Sequence, residues 1–327
     1  MRSLEGDRWV STSYLPKRVP YLFSLLVLLL AGAMMGGLLP AAVAGPYSPR
    51  TDTTQEWEYT LTTGLSFSQA AFKDWKDSQS NTMSFTTSLA GTAQREKGRW
   101  TQTHDVRGAI GLLWRADDDE DDPFRKPEDR IRIQSDLRYK GRFFFRLLRP
   151  TLSGNLRTQF AKGFNFSDNP FPEGHPEGEK APPVQTSEFF GPAYVTETLG
   201  LTFASKDWFT VRLGVATKQT IVRAKRLRVL YSLDRSRAVR TEGGTELSGT
   251  LEKKVVEDVT YSSRLNAFLS FKQEGRLPDV VWENYLSMQV NSWLSTDLEF
   301  VAVYDEDTSS ALQLKERLSV GVKMKMD

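Results

Sequence analysis

Basic side chains recur at every second position in several segments, and their type and spacing could carry a function. In residues 130–140, Arg130, Arg132 and Arg138 alternate with Ile131 and Ile133. Successive side chains of a β-strand point to opposite faces, so these cations share one surface. Rings of basic side chains around a water-filled path favour anions. The cations predicted to line such a path are Arg107, Arg130, Arg132, Arg138, Lys140, Arg157, Arg212, Arg264, Lys315 and Arg317.

Acidic residues with the same parity leave two interpretations of this surface open. They are Asp105, Asp136, Glu246, Glu252, Glu283, Asp297 and Glu299. Opposite charges that face each other across a narrow lumen could pair and plug it. The alternative is a narrow path lined by arginines. A barrel of about twelve strands is intermediate in width. Smaller barrels are filled by side chains, and barrels of sixteen or more strands are wide enough to hold an aqueous channel.

The chain has two histidines, and neither predicts a catalytic site. His104 lies on the apolar parity of a predicted strand, where a lipid-acting hydrolase would also need a serine and an orienting Asn or Asp. Ser84, Ser88 and Ser135 lie nearby in strand order, but no motif selects one of them. His175 falls in a Pro- and Gly-rich loop. We therefore expect no enzyme and no catalytic residues, with a lipid-acting hydrolase as a minor alternative.

Composition excludes other kinds of site. The 327 residues contain no Cys, so neither disulfides nor thiolate sites are available. The acidic run Asp117–Asp122 lacks the Gly and the distant Glu of a calcium-binding EF-hand loop. No metal site, bound cofactor or cofactor-binding residue is predicted. The net charge of only +2 gives no reason to expect nucleic-acid binding.

The elements that position these side chains are about twelve strands with strict apolar–polar alternation. Segments such as 57–67, 100–114 and 209–215 show it, and most are near or above the ~9–11 residues that a tilted membrane strand needs. Tight predicted turns, such as Glu96–Gly98 and Leu294–Ser295, alternate with longer polar connections. The longer connections are expected at residues 70–80, 116–128, 164–190, 218–240, 273–278 and 305–310. The pattern predicts an all-β fold, a closed antiparallel transmembrane β-barrel. The alternative, a soluble two-sheet sandwich, does not explain the long strands with aromatic residues near their ends.

The first residues predict export. Lys17 and Arg18 precede the apolar run Tyr21–Leu39, and Ala42-Val43-Ala44 has the small residues of a cleavage site. A retained membrane helix over residues 21–43 is the competing interpretation. We expect a signal peptide at 1–44, a short periplasmic segment at 45–56 and the barrel at 57–327. The predicted location is the bacterial outer membrane, and the predicted partners are its lipid and the barrel-insertion machinery.

Several short motifs resemble one family. They are Phe72-x-x-Trp75, Thr158-Gln159-Phe160, Gly191-Pro192-Ala193-Tyr194, Thr217–Val222 and Gln313–Leu318. Together they resemble the domain of unknown function 3078, an uncharacterised family of outer-membrane-type barrels in Bacteroidetes-like bacteria. The resemblance implies a barrel and brings no activity or site residues. One departure is the ending Lys323-Met324-Lys325-Met326-Asp327, since such barrels often end on an aromatic residue.

The predicted function is a narrow, porin-like channel for an unidentified small solute, possibly an anion. The alternative is a structural or surface-binding barrel whose lumen is closed by charge pairing. The connection Phe164–Phe190 contains five prolines and is expected to lack regular structure. It would either constrict the lumen or project as a surface loop.

Overall fold

The computed structural model describes residues 57–70, 81–116, 125–205, 208–272 and 277–326. The predicted signal peptide, the segment 45–56, the acidic run Asp117–Asp122 and the motif Phe72-x-x-Trp75 lie outside these residues. No helix within the described residues is long and apolar enough to cross a membrane.

Twelve long antiparallel strands close into a barrel, as the alternation predicted. Around the ring the order is β1-β14-β13-β12-β11-β10-β9-β8-β5-β4-β3-β2, and β1 pairs with β14 through contacts such as Leu65 with Val322. The strands are β1 Glu58–Ala70, β2 Thr82–Lys97, β3 Trp100–Arg115, β4 Asp129–Tyr139, β5 Leu148–Thr158, β8 Ala193–Ser205, β9 Phe209–Ile221, β10 Val239–Val256, β11 Val259–Ser270, β12 Asp279–Gln289, β13 Leu294–Asp305 and β14 Ser309–Met326. Two short strands, β6 Gly163–Asn165 and β7 Val184–Ser187, pair separately.

The wall of the barrel is apolar outside and polar inside. Leu199 and Leu213 point outward and are more than half exposed, whereas Thr198 and Glu299, which point inward, are each only 1% exposed. A soluble protein has the opposite distribution, with apolar residues inside. An apolar outer band around a polar interior is the pattern of barrels that cross a membrane with strands.

The connections define two ends of the barrel. At the short-turn end the chain passes from β2 to β3, β4 to β5, β8 to β9, β10 to β11 and β12 to β13, and at the long-loop end from β1 to β2, β3 to β4, β5 to β8, β9 to β10, β11 to β12 and β13 to β14.

The alternation of short and long connections was expected, but two details were wrong. The predicted turn Leu294–Ser295 lies inside β13, because Asn291 Oδ1 accepts from the amides of Trp293 and Leu294 and forms the turn earlier. The predicted long connection 305–310 has only three residues. Residues 140–147 contain a short helix, α1 Phe144–Leu147.

The segment Phe164–Phe190 was expected to lack regular structure, and this expectation was wrong. The whole connection, residues 159–192, contains the β6–β7 pair and folds against the connection 222–238, which includes a 3₁₀ helix at Lys225–Tyr231. Residues from both connections form a small apolar core, made of Phe171, Val184, Val222, Leu227 and Leu233. We call residues 159–192 and 222–238 the cap.

Hydrogen bonds from three side chains hold the cap together and over the barrel. Arg228 donates to the carbonyls of Val222, Arg223 and Arg235, which fixes the 222–238 connection. The Tyr231 hydroxyl donates to the Thr186 carbonyl, and the Ser232 hydroxyl donates to the Asp307 carbonyl 2.8 Å away. Asp307 belongs to the connection between β13 and β14, which is on another side of the barrel from β9 and β10. The cap therefore bridges the mouth at the long-loop end.

We expect the cap to loosen in acid because of His175. Its ring is buried and stacks on Phe171 at 4.7 Å, and its Nδ1 accepts a hydrogen bond from the Glu177 amide. Burial, with the nearby charge of Arg235, lowers the pKa of His175 below its usual 6.5. The opened cap therefore binds this proton more readily than the folded cap. Stability is full above pH ~6.5 and decreases as the pH falls through the lowered pKa.

The measurement is limited proteolysis of the folded barrel between pH ~7.5 and ~5. Cleavage within the cap should increase in acid while the barrel strands remain intact. The variant His175→Asn removes the ionisable group and should have a cap cleavage rate that changes little with pH. An equally pH-dependent rate in this variant would assign the effect to another group.

Candidate functional site

All ten predicted cations have their side chains in the barrel interior, at three levels. Arg107, Arg138, Lys140, Arg212 and Arg264 line a cavity of about 910 Å³ toward the short-turn end. We call this cavity the vestibule. Arg130, Arg132, Lys315 and Arg317 lie near the middle of the barrel and bind carboxylates there. Arg157 lies beyond them, beside a small cavity of about 70 Å³ that Arg132 also lines.

The middle level is crossed by ion pairs that span the barrel. Glu283 on β12 accepts from Arg130 at 2.8 Å through Oε1 and from Arg132 at 2.5 Å through Oε2, both on β4. In the ring of twelve strands, β4 and β12 are six positions apart, so these contacts join opposite walls. Arg132 is 3% exposed and Glu283 is 6% exposed. The buried guanidinium of Arg132 and the partly buried guanidinium of Arg130 therefore share one carboxylate across the lumen.

A second carboxylate extends this network along the neighbouring wall. Glu299 accepts from Arg317 at 2.7 Å and from the Tyr285 hydroxyl at 2.5 Å, and Lys315 lies 3.4 Å away. Tyr285 in turn accepts from Arg130 at 2.6 Å, which links the two carboxylates.

Glu128, just before β4, completes the set by pairing with Lys315 and lying 3.5 Å from Arg130. We call Glu128, Arg130, Arg132, Glu283, Tyr285, Glu299, Lys315 and Arg317 the waist. It contains four cations and three carboxylates, which leaves one positive charge in excess.

Charge pairs also line both sides of the waist. In the vestibule, Arg212 lies 3.0 Å from Asp136 and 3.4 Å from Glu246, and Lys140 lies 2.6 Å from Glu96. Arg264 on β11 reaches Asp105 on β3 at 3.7 Å, another contact between strands six positions apart.

Toward the long-loop end, Lys218 binds Asp279 at 2.5 Å and lies 3.6 Å from Asp305. Lys218 was predicted to begin a loop. Instead β9 continues to Ile221, and Lys218 points into the lumen because it has the same parity as Arg212. The alternation of polar and apolar residues continues through Thr220 and Ile221, and it could have predicted that β9 extends past Lys218.

Other functional residues were missed by the sequence analysis. Glu128 was assigned to a loop, and Tyr285 was not considered because it is uncharged. Tyr285 shares the parity of Glu283, so its inward direction could have been recognised. The pairing of Glu128 with Lys315 could not, because 187 residues separate the two.

On the lipid-facing side of the wall, the structure contains one of the contacts that a hydrolase would require. His104 Nδ1 lies 3.0 Å from Ser135 Oγ on the neighbouring strand, and the Trp57 ring lies 5.5 Å from the imidazole. Among the described residues, no carboxylate or amide side chain hydrogen-bonds to His104 to orient it. The contact lies toward the short-turn end, four residues after the start of β3.

Metal binding has no candidate in the part of the chain that the structure describes. No group of three or more His, Asp or Glu side chains there is arranged to hold a metal ion. The carboxylates of the waist are occupied by arginine and lysine instead.

The fold and its interior define the class: a closed, twelve-stranded antiparallel barrel with an apolar outer wall and a charged lumen. The model of the family described as "Protein of unknown function (DUF3078)" matches residues 67–164. The family resemblance that the sequence motifs predicted is confirmed over that segment. No curated protein matches the chain in sequence.

Several solved structures are similar to the chain at low identity. An outer-membrane channel from Pseudomonas putida is 10% identical with a TM-score of 0.36, and the match covers 85% of this chain and 99% of that one. An active-site mutant of outer-membrane phospholipase A from Escherichia coli is 12% identical with a TM-score of 0.37, covering 85% and 94%. The translocator domain of the autotransporter NalP from Neisseria meningitidis is 9% identical with a TM-score of 0.32, covering 93% and 96%.

The waist predicts a large stability effect at Glu283. The variant Glu283→Gln leaves Arg130 and Arg132 with no carboxylate at this position, and removing one partner of a buried pair costs about 3–5 kcal/mol. The measurement is urea unfolding of the barrel in lipid vesicles. The control is Glu252→Gln, which removes the same charge from an exposed vestibule position. Equal midpoints for the two variants would show that the waist pairs add no stability.

Proposed function

We propose that the chain is a non-enzymatic outer-membrane barrel that forms a narrow channel for small anionic solutes, closed at the waist by ion pairs that can exchange. The proposal places it in the bacterial outer membrane, inserted from the periplasm by the barrel-insertion machinery. The predicted signal peptide and the apolar outer wall support this location. The observation that carries the proposal is the pairing of Arg130 and Arg132 with Glu283 across the lumen.

Exchange of partners gives this closure a route to opening. Arg130 already contacts Glu128, Glu283, Tyr285 and Glu299. A guanidinium with several acceptors within reach can leave one and remain bonded to another. The energy of moving it is then the difference between two paired states, which is smaller than the cost of exposing an unpaired buried charge.

The charge at the waist supports a preference for anions. Four cations face three carboxylates, so an anion that enters meets excess positive charge while a cation does not. The vestibule leads to this point from the short-turn end, since Glu96 and Lys140 at the turns line the same cavity as Glu283 and Tyr285.

A closed binding barrel is the second candidate, because the cap bridges the opposite mouth. The buried core of the cap and the contact between Ser232 and Asp307 support a rigid cover. A channel needs this cover to leave side openings or to move. A closed barrel needs neither, and its lumen would serve only stability.

Planar-bilayer recording of the purified barrel separates these candidates. Wild-type protein should show small steps with an anion-selective reversal potential in a salt gradient. The variant Glu283→Gln frees both arginines and raises the excess charge of the waist, so anion selectivity should increase. Each ~1.4 kcal/mol lost from the closed state raises the open-to-closed ratio about tenfold, and we expect an effect of this size.

The control is Glu252→Gln, which removes a carboxylate from the vestibule without touching the waist. It should leave the open-to-closed ratio near that of the wild type. Folding of every sample is checked by the shift of the unheated band on a gel. Absence of conductance from both folded wild-type and Glu283→Gln barrels would contradict the channel and favour the closed binding barrel.

We also propose that the contact between Ser135 and His104 has no catalytic role. The imidazole lacks an orienting acid or amide among the described residues, and an activated serine requires a base that is itself oriented. A serine-reactive fluorophosphonate should therefore leave the folded barrel unlabelled. Stoichiometric labelling that disappears in both Ser135→Ala and His104→Ala would establish a lipid-facing nucleophile instead.

A further inference from the structure

Two arginines of the vestibule differ from the other cations that line this cavity. Arg138 on β4 and Arg149 on β5 both line the vestibule, yet neither has a carboxylate oxygen within ion-pair distance among the described residues. The nearby cations are paired: Lys140 with Glu96, and Arg212 with Asp136. Two positive charges therefore lie at one place in the wall without a direct ion pair, and the nearby Asp136 is held by Arg212.

The strand register brings these two guanidinium groups to the same part of the surface. Arg138 is paired across the strands with Thr151, which is two residues from Arg149 and on the same face of β5. Arg149 is paired with Thr202 of β8. The Thr151 and Thr202 hydroxyls lie 2.7 Å apart and both residues are 2% exposed, so the wall beneath the arginines is packed and hydrogen-bonded.

The donors of this pair are incompletely used. Arg138 Nε is buried and has no hydrogen-bond partner, a property that it shares with Nε of Arg132, Arg212 and Arg264. Arg138 differs from these three arginines because each of them has an ion pair and Arg138 has none among the described residues. Buried polar groups in proteins are almost always hydrogen-bonded, and an unpaired one points to a missing partner. Arginine presents a planar fork of donors that matches the oxygens of carboxylate and phosphate groups. The missing partner for two adjacent guanidinium groups is an oxyanion.

We propose that Arg138 and Arg149 form a binding site in the vestibule for a solute that carries an oxyanion group, a phosphate or a carboxylate. The cavity of about 910 Å³ is far larger than one bare ion requires, and ligand pockets are usually about 300–1,000 Å³. The site therefore takes the charged group of a small organic solute, whose remainder occupies the vestibule between the short turns and the waist.

This inference deepens the proposed function by naming the chemistry of the solute, and it rests on that function only for passage through the waist. Binding at Arg138 and Arg149 requires no conductance. A closed barrel would hold the same solute at the short-turn end as a receptor. Binding and conduction are therefore measured separately.

The test is isothermal titration calorimetry of the folded barrel in detergent, with inorganic pyrophosphate and citrate as probes. Wild-type protein should bind at least one of them with one-to-one saturation. The double variant Arg138→Gln/Arg149→Gln should weaken this affinity at least tenfold, since hydrogen bonds to charged groups contribute about 1.5–3 kcal/mol each. The control is Arg107→Gln, which removes a vestibule cation that is paired with Asp105, and it should change affinity less than threefold.

The conservative variant Arg138→Lys/Arg149→Lys keeps both charges and loses the planar forks. It should fold even where the neutral variant does not, and its affinity should still decrease. Pyrophosphate binding alone assigns a phosphate-bearing solute, and citrate binding alone assigns a carboxylate-bearing one. Absence of saturable binding, or an equal loss in Arg107→Gln, would overturn the site. Conductance without this binding would contradict the proposed site but not the channel. Binding without conductance would contradict the channel but not the site.

Discussion

A backbone that crosses hydrocarbon must satisfy every amide and carbonyl within the chain, because no water is present to do so. Here the pairing of β1 with β14 meets this requirement by removing both free edges of the sheet. Closure then decides the rest of the structure. Once the sheet forms a ring, one face of every strand meets lipid and is apolar. The other face points into a confined interior and fills it with polar side chains.

The interior that results is dense in charge, and charge can be buried only when it is paired. The waist shows the consequence, since Glu283 holds two arginines, and Glu299 has three cations within ion-pair distance and accepts from a tyrosine. Pairing at this density fills the middle of the lumen with ion pairs that join opposite walls. The vestibule differs because Arg138 and Arg149 have no carboxylate within ion-pair distance among the described residues. Under the proposed function the two levels would have different roles, with closure at the waist and anion binding in the vestibule.

The sequence predicted much of this because the period of a strand is two residues. The parity of Arg132 relative to Ile131 and Ile133 was enough to give the face of β4, and the same argument gave the number of strands. It could not show that Arg132 meets Glu283, because that contact depends on the curvature of the closed ring rather than on neighbouring positions. The Phe164–Phe190 segment was misjudged for a similar reason. Its strands have three or four residues, and its apolar core is completed by Val222, Leu227 and Leu233 from another connection.

The distribution of charge along the chain has a consequence for assembly. The waist joins Arg132 to Glu283 across 151 residues of sequence, with the cation in the first half of the barrel and the acid in the second. A nascent sheet that contained only β1 to β5 would have Arg107 and Lys140 beside their acids, but it would hold Arg132 without Glu283, and water would have to solvate that guanidinium. The last strand, β14, acts in the opposite sense, since it brings Lys315 and Arg317 to Glu128, which precedes β4. Each half of the chain therefore carries charges that only the other half neutralises, and the middle of the lumen can lose its water only when both halves are present.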